Sequence, residues 1–405
     1  MQAVVIKGGG VTSPQGFVAG VAAAGIKYPD RYDLALLVSE EPAVAAGVFT
    51  TNKYAAAPVQ VSKKYLQAAG VYRGVVVNSG CANACTGEQG ITNAILMTKM
   101  AAQAVGCQPE EILVASTGVI GTDLPMDKVQ QGILEAGQML SAEGGRLAAK
   151  AIMTTDTRVK EVALQIELDG KKVFLGGMAK GSGMIHPNMA TMLGFITTDA
   201  AISSACLQEA LRRANEESFN MVTVDGDTST NDTVVVLANG RAGNTLLEDL
   251  NSPDYQLFCE ALKEVCQILA KMIAGDGEGA TKLLEVCVVN APSLGDACKA
   301  ARAVAGSNLV KAALFGEDAN WGRIICALGY SEAQFNPATV DIYLGDLQVA
   351  RNGAGIDFDE KAAGMILTEK EIRIIIDLHA GDYAAKAWGC DLSYEYVKIN
   401  ADYRS

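Results

Sequence analysis

Short apolar runs, each bounded by turn residues, recur along this 405-residue chain. Runs of this length that are rich in β-branched residues are typical of buried β-strands. Two of them are joined by Asp169-Gly170, a pair that favours the tight turn of a β-hairpin. The pattern predicts strands at 74–78, 111–116, 162–168, 172–177, 193–198, 221–225, 233–238, 284–290, 339–344 and 373–378.

Helical periodicity is clearest over residues 253–273. The predicted inner face of this helix consists of Leu257, Ala261, Val265, Leu269 and Met272. Ser252 is a suitable N-cap, Pro253 fits the first turn and Gly275 follows the end. A second helix is predicted at 205–219. Because helices alternate with both hairpins and longer crossovers, the fold class is α/β or α+β, and not a pure Rossmann fold.

The length exceeds what one hydrophobic core usually supports, so several domains are expected. We predict an N-terminal core domain at 1–200, a middle α/β domain at 201–285 and a C-terminal α/β domain at 286–405. The chain is 49% hydrophobic and 20% charged, which is typical of a soluble globular protein.

The net charge of −13 argues against a nucleic-acid or anionic-membrane partner, since both require a basic surface. No apolar run is long enough to span a bilayer, and a cytoplasmic location is predicted. The ten cysteines form no paired framework, so reduced thiols are expected. Cys81 and Cys85 are the only close pair, and nothing beside them completes a zinc site.

Residues 180–200 contain the features that a self-cleaving chain requires. Glycine, proline and asparagine make the segment bendable, and a small residue, Ala190, precedes a hydroxyl residue, Thr191, before a strand-like run. Cleavage between them would give Thr191 a free α-amine. Since such an amine titrates near pH ~8, it can act as the base for the hydroxyl of the same residue. The same residues are also common in ordinary turns, so a simple loop is the alternative.

Other candidate groups for nucleophilic chemistry are few. The two histidines, His186 and His379, are expected to be hydrogen-bonded structural residues. A chain so poor in histidine suits a nucleophile that supplies its own base. Thr117 and Gly118 follow the apolar run 111–116, where a hydroxyl and a backbone N–H can together bind an oxyanion. A plain strand-to-loop turn explains the same pattern.

Seven segments, in the same order along the chain, resemble blocks of the ornithine acetyltransferase family, the glutamate N-acetyltransferases of arginine biosynthesis. The most specific is 180–200; the others are 48–53, 116–121, 153–157, 225–232, 320–324 and 399–405. The resemblance implies a layered α-β-β-α sandwich core with smaller C-terminal α/β domains. It also implies cleavage between Ala190 and Thr191, and a heterotetramer with two copies each of fragments 1–190 and 191–405.

The resemblance further implies roles for individual residues. Thr191 is the nucleophile, and Thr117 and Gly118 form the oxyanion hole. The implied substrate-binding residues are Thr154, Lys180, Thr191, Glu278, Asn400 and Ser405, with the adjacent Thr155 as an alternative to Thr154. Physically, the Lys180 ammonium suits an α-carboxylate, and the Glu278 carboxylate suits a δ-ammonium.

The implied reaction transfers an acetyl group from N2-acetyl-L-ornithine to L-glutamate by a ping-pong route through acetyl-Thr191. It requires no metal and no organic cofactor. Whether acetyl-CoA is a second donor, which would make the enzyme bifunctional, is left open by the sequence.

Two other classes of function compete with this interpretation. Asp225-Gly226-Asp227-Thr228, preceded by the strand-like run 221–224, resembles the nucleophile loop of haloacid-dehalogenase-type phosphatases, which use an aspartyl nucleophile and Mg²⁺. This motif is short and common. A non-enzymatic binding protein is the third alternative, but it leaves the features of 180–200 unexplained.

Overall fold

The computed structural model describes residues 3–68, 70–185 and 192–402. The strands are β1 (Val4–Val5), β2 (Phe17–Ala22), β3 (Leu34–Phe49), β4 (Tyr72–Asn78), β5 (Ile112–Ser116), β6 (Lys160–Leu168), β7 (Lys171–Lys180), β8 (Leu193–Thr198), β9 (Thr233–Ala238), β10 (Leu283–Ala291), β11 (Asp341–Leu344), β12 (Leu347–Arg351), β13 (Ala354–Gly355), β14 (Glu371–Asp377) and β15 (Tyr383–Cys390). The α-helices are α1 (Ala57–Ala68), α2 (Gly87–Val105), α3 (Met126–Gln138), α4 (Gly145–Ala151), α5 (Ser204–Glu216), α6 (Pro253–Ala274), α7 (Leu294–Gly306), α8 (Asn308–Phe315), α9 (Trp321–Gly329), α10 (Glu360–Leu367) and α11 (Tyr394–Asp402).

The strands described up to β9 form one continuous sheet in the order β1-β6-β7-β8-β9-β3-β4-β5, and β2 also pairs with β3. The long strand β3 connects two halves of this sheet. Its first part, Leu34 to Val38, pairs with β2 and β4, whereas its second part, Val44 to Phe49, pairs with β9. The ladder to β4 shifts register between these parts, so β3 passes from one layer to the next.

The two halves stack face to face with helices outside them. Alternate residues of β7, β8 and β9, such as Met178, Phe195 and Val235, pack into the same core as β2–β5 and α1–α4. Their neighbours, such as Ile196 and Val236, pack into a second core with α5 and α6. The order of layers is therefore α-β-β-α, which confirms the predicted sandwich.

A second sheet in the C-terminal part has the order β13-β12-β11-β14-β10-β15. β10 runs parallel to β14 and antiparallel to β15, and α7 packs against β10 and β15. The strands and helices of this C-terminal part pack into the same core as α5 and α6. Both sheets therefore contribute to one large hydrophobic cluster. The mixed α/β class is confirmed; the domain boundaries at 200 and 285 stay predictions.

Most predicted elements coincide with observed ones. Asp169 and Gly170 both have positive φ, 49° and 69°, and join β6 to β7 as a hairpin. The Ser252 side chain accepts a hydrogen bond from the Tyr255 N–H at the start of α6, as its N-cap role requires. Nine of the ten predicted strands overlap strands of the structure.

The predicted strand at 221–225 is wrong. A 3₁₀ turn, Phe219–Met221, begins this segment, and Val222 makes only an isolated bridge to Trp388. The segment is apolar because Val222 and Val224 are buried in the core, not because a neighbouring strand pairs along it. The predicted helix at 205–219 ends earlier than expected, at Glu216, because the same 3₁₀ turn begins at Phe219.

In the described ranges, no helix has the length and apolar character needed to cross a membrane.

Candidate active site

A pocket forms where the ends of several strands meet. Its lining consists of Thr117, Gly118, Ile120, Thr154, Thr155, Lys180, Gly183, Met184, Ser229, Thr230, Asn231, Glu278 and Asn400. The wall is thus built from the turn after β5, the end of β7, the segment before β9, the turn after α6 and the C-terminal helix α11. Hydroxyl, amide, ammonium and carboxylate groups face one another there.

The Thr117-Gly118 turn is fixed by the ends of β4 and β5. The Thr117 N–H donates to the Asn78 carbonyl at 3.0 Å, and the Asn231 amide holds the Ser116 carbonyl at 2.8 Å. Gly118 has φ +134°, and a Cβ there would lie 2.3 Å from the Gly80 carbonyl carbon. Only glycine fits this position. Within the described residues the Gly118 N–H donates to no acceptor, so it is available to a ligand.

Lys180, at the end of β7, places an ammonium group beside this turn. Its Nζ donates to Thr117 Oγ1 at 3.4 Å, and the side chain is buried. Burial lowers the pKa of Lys180, while Asp156 and Glu278 oppose that change by favouring the ammonium form. A buried cation in contact with a hydroxyl is suited to bind an anionic group of a substrate.

A buried ion-pair network lies next to Lys180. Lys160 Nζ lies 2.7 Å from Asp156 Oδ1 and 2.6 Å from Asp276 Oδ2. Asp156 also accepts the Gly181 N–H at 2.7 Å, next to Lys180. Burial opposes ionisation of Asp156, but Lys180 and Lys160 outweigh it and lower the pKa of this carboxyl to about 2. The network fixes the backbone at Gly181, directly after Lys180.

Glu278 and Asn400 form the opposite wall. The Asn400 amide donates to Glu278 Oε2 at 2.8 Å and to the Tyr396 carbonyl at 3.0 Å. Helix α11 therefore packs directly on the turn that carries Glu278. Gly279 allows this approach, because a Cβ on it would lie 2.6 Å from the Tyr396 nitrogen.

The structure brings together six residues that the sequence singled out: Thr117, Gly118, Thr154, Lys180, Glu278 and Asn400. Thr155 lines the same pocket, so the two adjacent threonines stay alternatives. Ala190, Thr191, Ser405 and His186 lie outside the described residues.

The backbone that follows Thr191 is held on both sides. The Met192 N–H donates to Asp232 Oδ1 at 2.9 Å, and the Met192 carbonyl accepts the Thr233 N–H at 3.1 Å. Leu193 pairs with Lys180 across the hairpin of β7 and β8. The start of β8 is therefore rigid and lies beside Lys180.

Sequence reasoning missed four residues that shape this site: Asp156, Lys160, Asp232 and Asp276. Three of them lie in or beside segments with a visible signal, namely the block 153–157, the block 225–232 and the glycine-rich turn 275–279. Asp156 and Lys160 are four residues apart, but the other partners are remote in sequence, so no spacing pattern could have paired them. Lys160 and Asp276, for example, are 116 residues apart.

The residues of the phosphatase alternative have another role in the fold. The Asp225 carboxylate accepts the N–H groups of Met184 and Ile185 at 2.5 and 2.8 Å, and burial raises its pKa. His379 lies elsewhere, at the end of β14, beside Asp341 and Asp377. In the described residues, no group of three or more His, Cys, Asp and Glu side chains could hold a metal ion.

Fold and pocket together define a layered α/β protein with a buried cationic group next to a glycine turn, an arrangement suited to acyl transfer on small charged molecules. A family model described as the ArgJ family matches residues 18–405, and the chain belongs to this family.

The chain is similar to several named proteins. The arginine biosynthesis bifunctional protein ArgJ of Symbiobacterium thermophilum is 60% identical over 98% of this chain and 99% of its own length. A solved chain of ArgJ from Bacillus halodurans is 49% identical, with a TM-score of 0.50; it covers 52% of this chain and 98% of itself. Ornithine acetyltransferase of Mycobacterium tuberculosis, solved with ornithine, is 42% identical, covers 46% of this chain and 98% of its own, with a TM-score of 0.44.

Family membership confirms the resemblance seen in the sequence: the protein is an acetyltransferase of arginine biosynthesis. It also removes the phosphatase and the binding-protein alternatives.

Proposed function

We propose that the protein cleaves itself between Ala190 and Thr191 and then transfers acetyl from N2-acetyl-L-ornithine to L-glutamate through an acetyl-Thr191 intermediate. The observation that carries this proposal is the convergence of Thr117, Gly118 and Lys180 in one pocket, next to the start of β8.

The geometry around β8 supports self-cleavage. Met192 is held by hydrogen bonds through both its N–H and its carbonyl, so the residue before it is attached to a fixed backbone. A hydroxyl that attacks the preceding carbonyl needs such a support. The solved ArgJ chain from Bacillus halodurans matches 52% of this chain with 98% of its own length. A chain of that size is what cleavage near the middle would leave.

The Thr117-Gly118 turn supports the oxyanion role. The Gly118 N–H is not committed within the described residues, and the Thr117 hydroxyl accepts from the Lys180 ammonium. The hydroxyl proton of Thr117 is therefore free to form a hydrogen bond with a developing oxyanion. Donors fixed in this way act without reorganisation when charge develops in the transition state.

The charges around the pocket support the choice of substrates. N2-acetyl-L-ornithine has an α-carboxylate at one end and a δ-ammonium at the other. We assign the Lys180 ammonium to the carboxylate and the Glu278 carboxylate to the δ-ammonium. Asn400 holds Glu278 at 2.8 Å, and Thr154 or Thr155 supplies a further hydroxyl. Ser405 is also predicted to bind the substrate.

The proton moves in a closed cycle. The α-amine of Thr191 takes the proton of its own Oγ as Oγ attacks the acetyl carbonyl, and Thr117 and Gly118 stabilise the tetrahedral oxyanion. The departing amine of ornithine takes that proton from the Thr191 ammonium. Glutamate then attacks the acetyl ester, gives a proton to the α-amine, and restores free Thr191 Oγ as N-acetylglutamate leaves.

Several finer features stay proposals. The word bifunctional in the names of the relatives favours acetyl-CoA as a second acetyl donor. The heterotetramer of two copies of each fragment, the absence of a cofactor and the cytoplasmic location are carried forward as predictions.

Replacing Thr191 tests the scheme. We expect Thr191→Ala to run as one band of 42.3 kDa on a denaturing gel and to transfer no acetyl group, while the unchanged protein runs as two bands. The control is Thr51→Ala, which removes a threonine that does not line the pocket. A Thr191→Ala protein that transfers acetyl at the normal rate would refute the proposal.

A further inference from the structure

Two side chains of the pocket differ from the others in being wholly apolar. Among the described residues that line it, these are Ile120 and Met184; the others contribute hydroxyl, amide, ammonium or carboxylate groups, or glycine backbone. An N-acetylated amino acid has one small apolar end, the methyl of its acetyl group. Apolar parts of a ligand bind apolar side chains, whereas the few polar groups of a pocket fix its orientation. One of these two side chains is therefore expected to contact the acetyl methyl.

Ile120 lies in the same connection as the proposed oxyanion hole, two residues after Gly118. The N–H groups of Val119 and Gly121, on either side of it, donate to backbone carbonyls at 3.3 and 2.9 Å. The half-buried Ile120 side chain packs against a cluster of buried apolar residues, which are Phe49, Ala56, Val59, Ala82 and Ala84. A β-branched side chain has few rotamers. Held in this way, Ile120 cannot easily move aside for a larger ligand.

The covalent geometry of an acetyl group determines how far its methyl can lie from the oxyanion hole. The methyl carbon and the oxygen are bonded to the same carbon at about 1.5 and 1.2 Å, so they are about 2.4 Å apart. An oxyanion donor lies about 2.7–3.1 Å from that oxygen, and the methyl carbon is then at most about 5.5 Å from the Gly118 nitrogen. Since Cα atoms two residues apart are separated by at most about 7 Å, the methyl is within reach of the Ile120 side chain.

Met184 belongs to another part of the pocket. It follows Gly183, where a Cβ would lie 2.3 Å from Glu278 Oε2. The backbone before Met184 therefore touches the carboxylate that we assign to the δ-ammonium of the donor, not the turn that holds the acetyl oxygen. Its side chain is also unbranched, and methionine adapts readily to ligands of different shape. Met184 is the poorer candidate for a wall that must reject an added methylene.

We propose that Ile120 forms the wall of an acyl pocket and restricts the transferred group to acetyl. Its side chain contacts the acetyl methyl and leaves no room for a longer acyl chain. This role rests on the proposed function, because the Thr117-Gly118 oxyanion hole places the acetyl carbonyl. Ile120 contacts the substrate but takes no part in the proton transfers, so it determines specificity and not the chemical step.

Three donors test this role with glutamate as the acceptor: N2-acetyl-, N2-propionyl- and N2-butyryl-L-ornithine. The ratio of kcat/KM values compares the acyl groups, since an enzyme discriminates between substrates by that ratio. In the wild-type protein we expect kcat/KM to fall about 10–200-fold with the first added methylene. Ile120→Ala removes most of the wall, so the ratio of kcat/KM for acetyl to that for butyryl should fall at least about tenfold. Ile120→Val removes a single methylene group and should lower the ratio for acetyl to propionyl, even if Ile120→Ala fails to fold.

The matched control is Val59→Ala. Val59 is buried in the same apolar cluster but does not line the pocket, so its variant loosens the cluster without opening the wall. We expect this variant to keep the wild-type preference for acetyl.

Four results would overturn the inference. These are a wild-type protein that uses butyryl as well as acetyl, Ile120 variants with an unchanged preference, an equal change of preference in Val59→Ala, and a change in Met184→Ala in place of the Ile120 variants. An active Thr191→Ala protein would instead overturn the proposed function, so the two failures are distinguishable.

Discussion

Gly118→Ala tests the oxyanion hole through the position of a single backbone N–H. A Cβ at this residue would lie 2.3 Å from the Gly80 carbonyl carbon and 2.5 Å from the Cys81 nitrogen. Both are backbone atoms, and they belong to a ladder in which the Val119 N–H donates to the Gly80 carbonyl. Because non-bonded carbon atoms approach to about 3.5 Å at best, the turn must move by roughly 1 Å.

A movement of this size takes the N–H out of range. Oxyanion donors act at about 2.7–3.1 Å from the oxygen, and the loss of one typically lowers kcat by about 10²–10³, or roughly 2.7–4 kcal/mol of transition-state stabilisation. We therefore expect Gly118→Ala to lower kcat within that range. KM for N-acetylornithine should change little, because Lys180 and Glu278 remain in place.

Gly121→Ala is the matched control. Gly121 lies in the same connection and also has a positive φ, +75°, but nothing lies within 4 Å of a Cβ there. Its variant bears the left-handed backbone strain of about 1–2 kcal/mol and no steric clash. After the two fragments are verified on a denaturing gel, steady-state acetyl transfer to glutamate gives kcat and KM, and Tm reports the strain. If kcat of the Gly118 variant is within threefold of that of the Gly121 variant, the Gly118 N–H does not stabilise the oxyanion.

Two further predictions concern charge. Glu278→Gln should raise KM for N-acetylornithine about tenfold or more, because one charge-assisted hydrogen bond is lost. In the reverse reaction, KM for N-acetylglutamate should change much less. Equal losses for the two substrates would contradict the assignment of Glu278 to the δ-ammonium. The pKa of Asp156 is lowered to about 2, so its pairing stabilises the wild-type fold fully above pH ~4 and is lost as the pH falls toward 2. In Lys160→Met, Asp156 and Asp276 lack their shared cation, and the pKa of Asp156 rises. The variant should therefore lose about 3–5 kcal/mol at pH 7 but less at pH 5. Tm measured at both pH values checks this, and a deficit that does not shrink at pH 5 would show that the ion pairs are not its cause.

Local sequence patterns predicted those elements whose cause is local. The hairpin at Asp169-Gly170 follows from two residues that tolerate positive φ, and α6 follows from one apolar face and the Ser252 cap. The long strand β3 was not predicted, because its two parts pair with different strands and its middle is polar and exposed. The error at 221–225 has the converse origin: burial made the segment apolar although no strand pairs along it.

The site was predictable only as far as its residues lie in recognisable segments. The turn after β5 and the segment before β8 could be found in this way, since each has a local sequence signal. The charged residues that surround them could not be found from the sequence. Lys160 on β6 meets Asp276 after α6, and Asp232 before β9 meets Met192 before β8. Such pairs depend on which strands are neighbours in the sheet and on how α6 packs against β6, which are properties of the whole fold and not of any window of sequence.

The described part of the site holds several buried charged side chains close together. The charged side chains in the described part of the site, apart from Asp232, are those of Lys160, Lys180, Asp156, Asp276 and Glu278. Three carboxylates thus already face two ammonium groups, and a fourth buried negative charge would be costly. Burial accordingly raises the pKa of Asp232, and the Met192 N–H and the Lys180 ammonium only partly offset this.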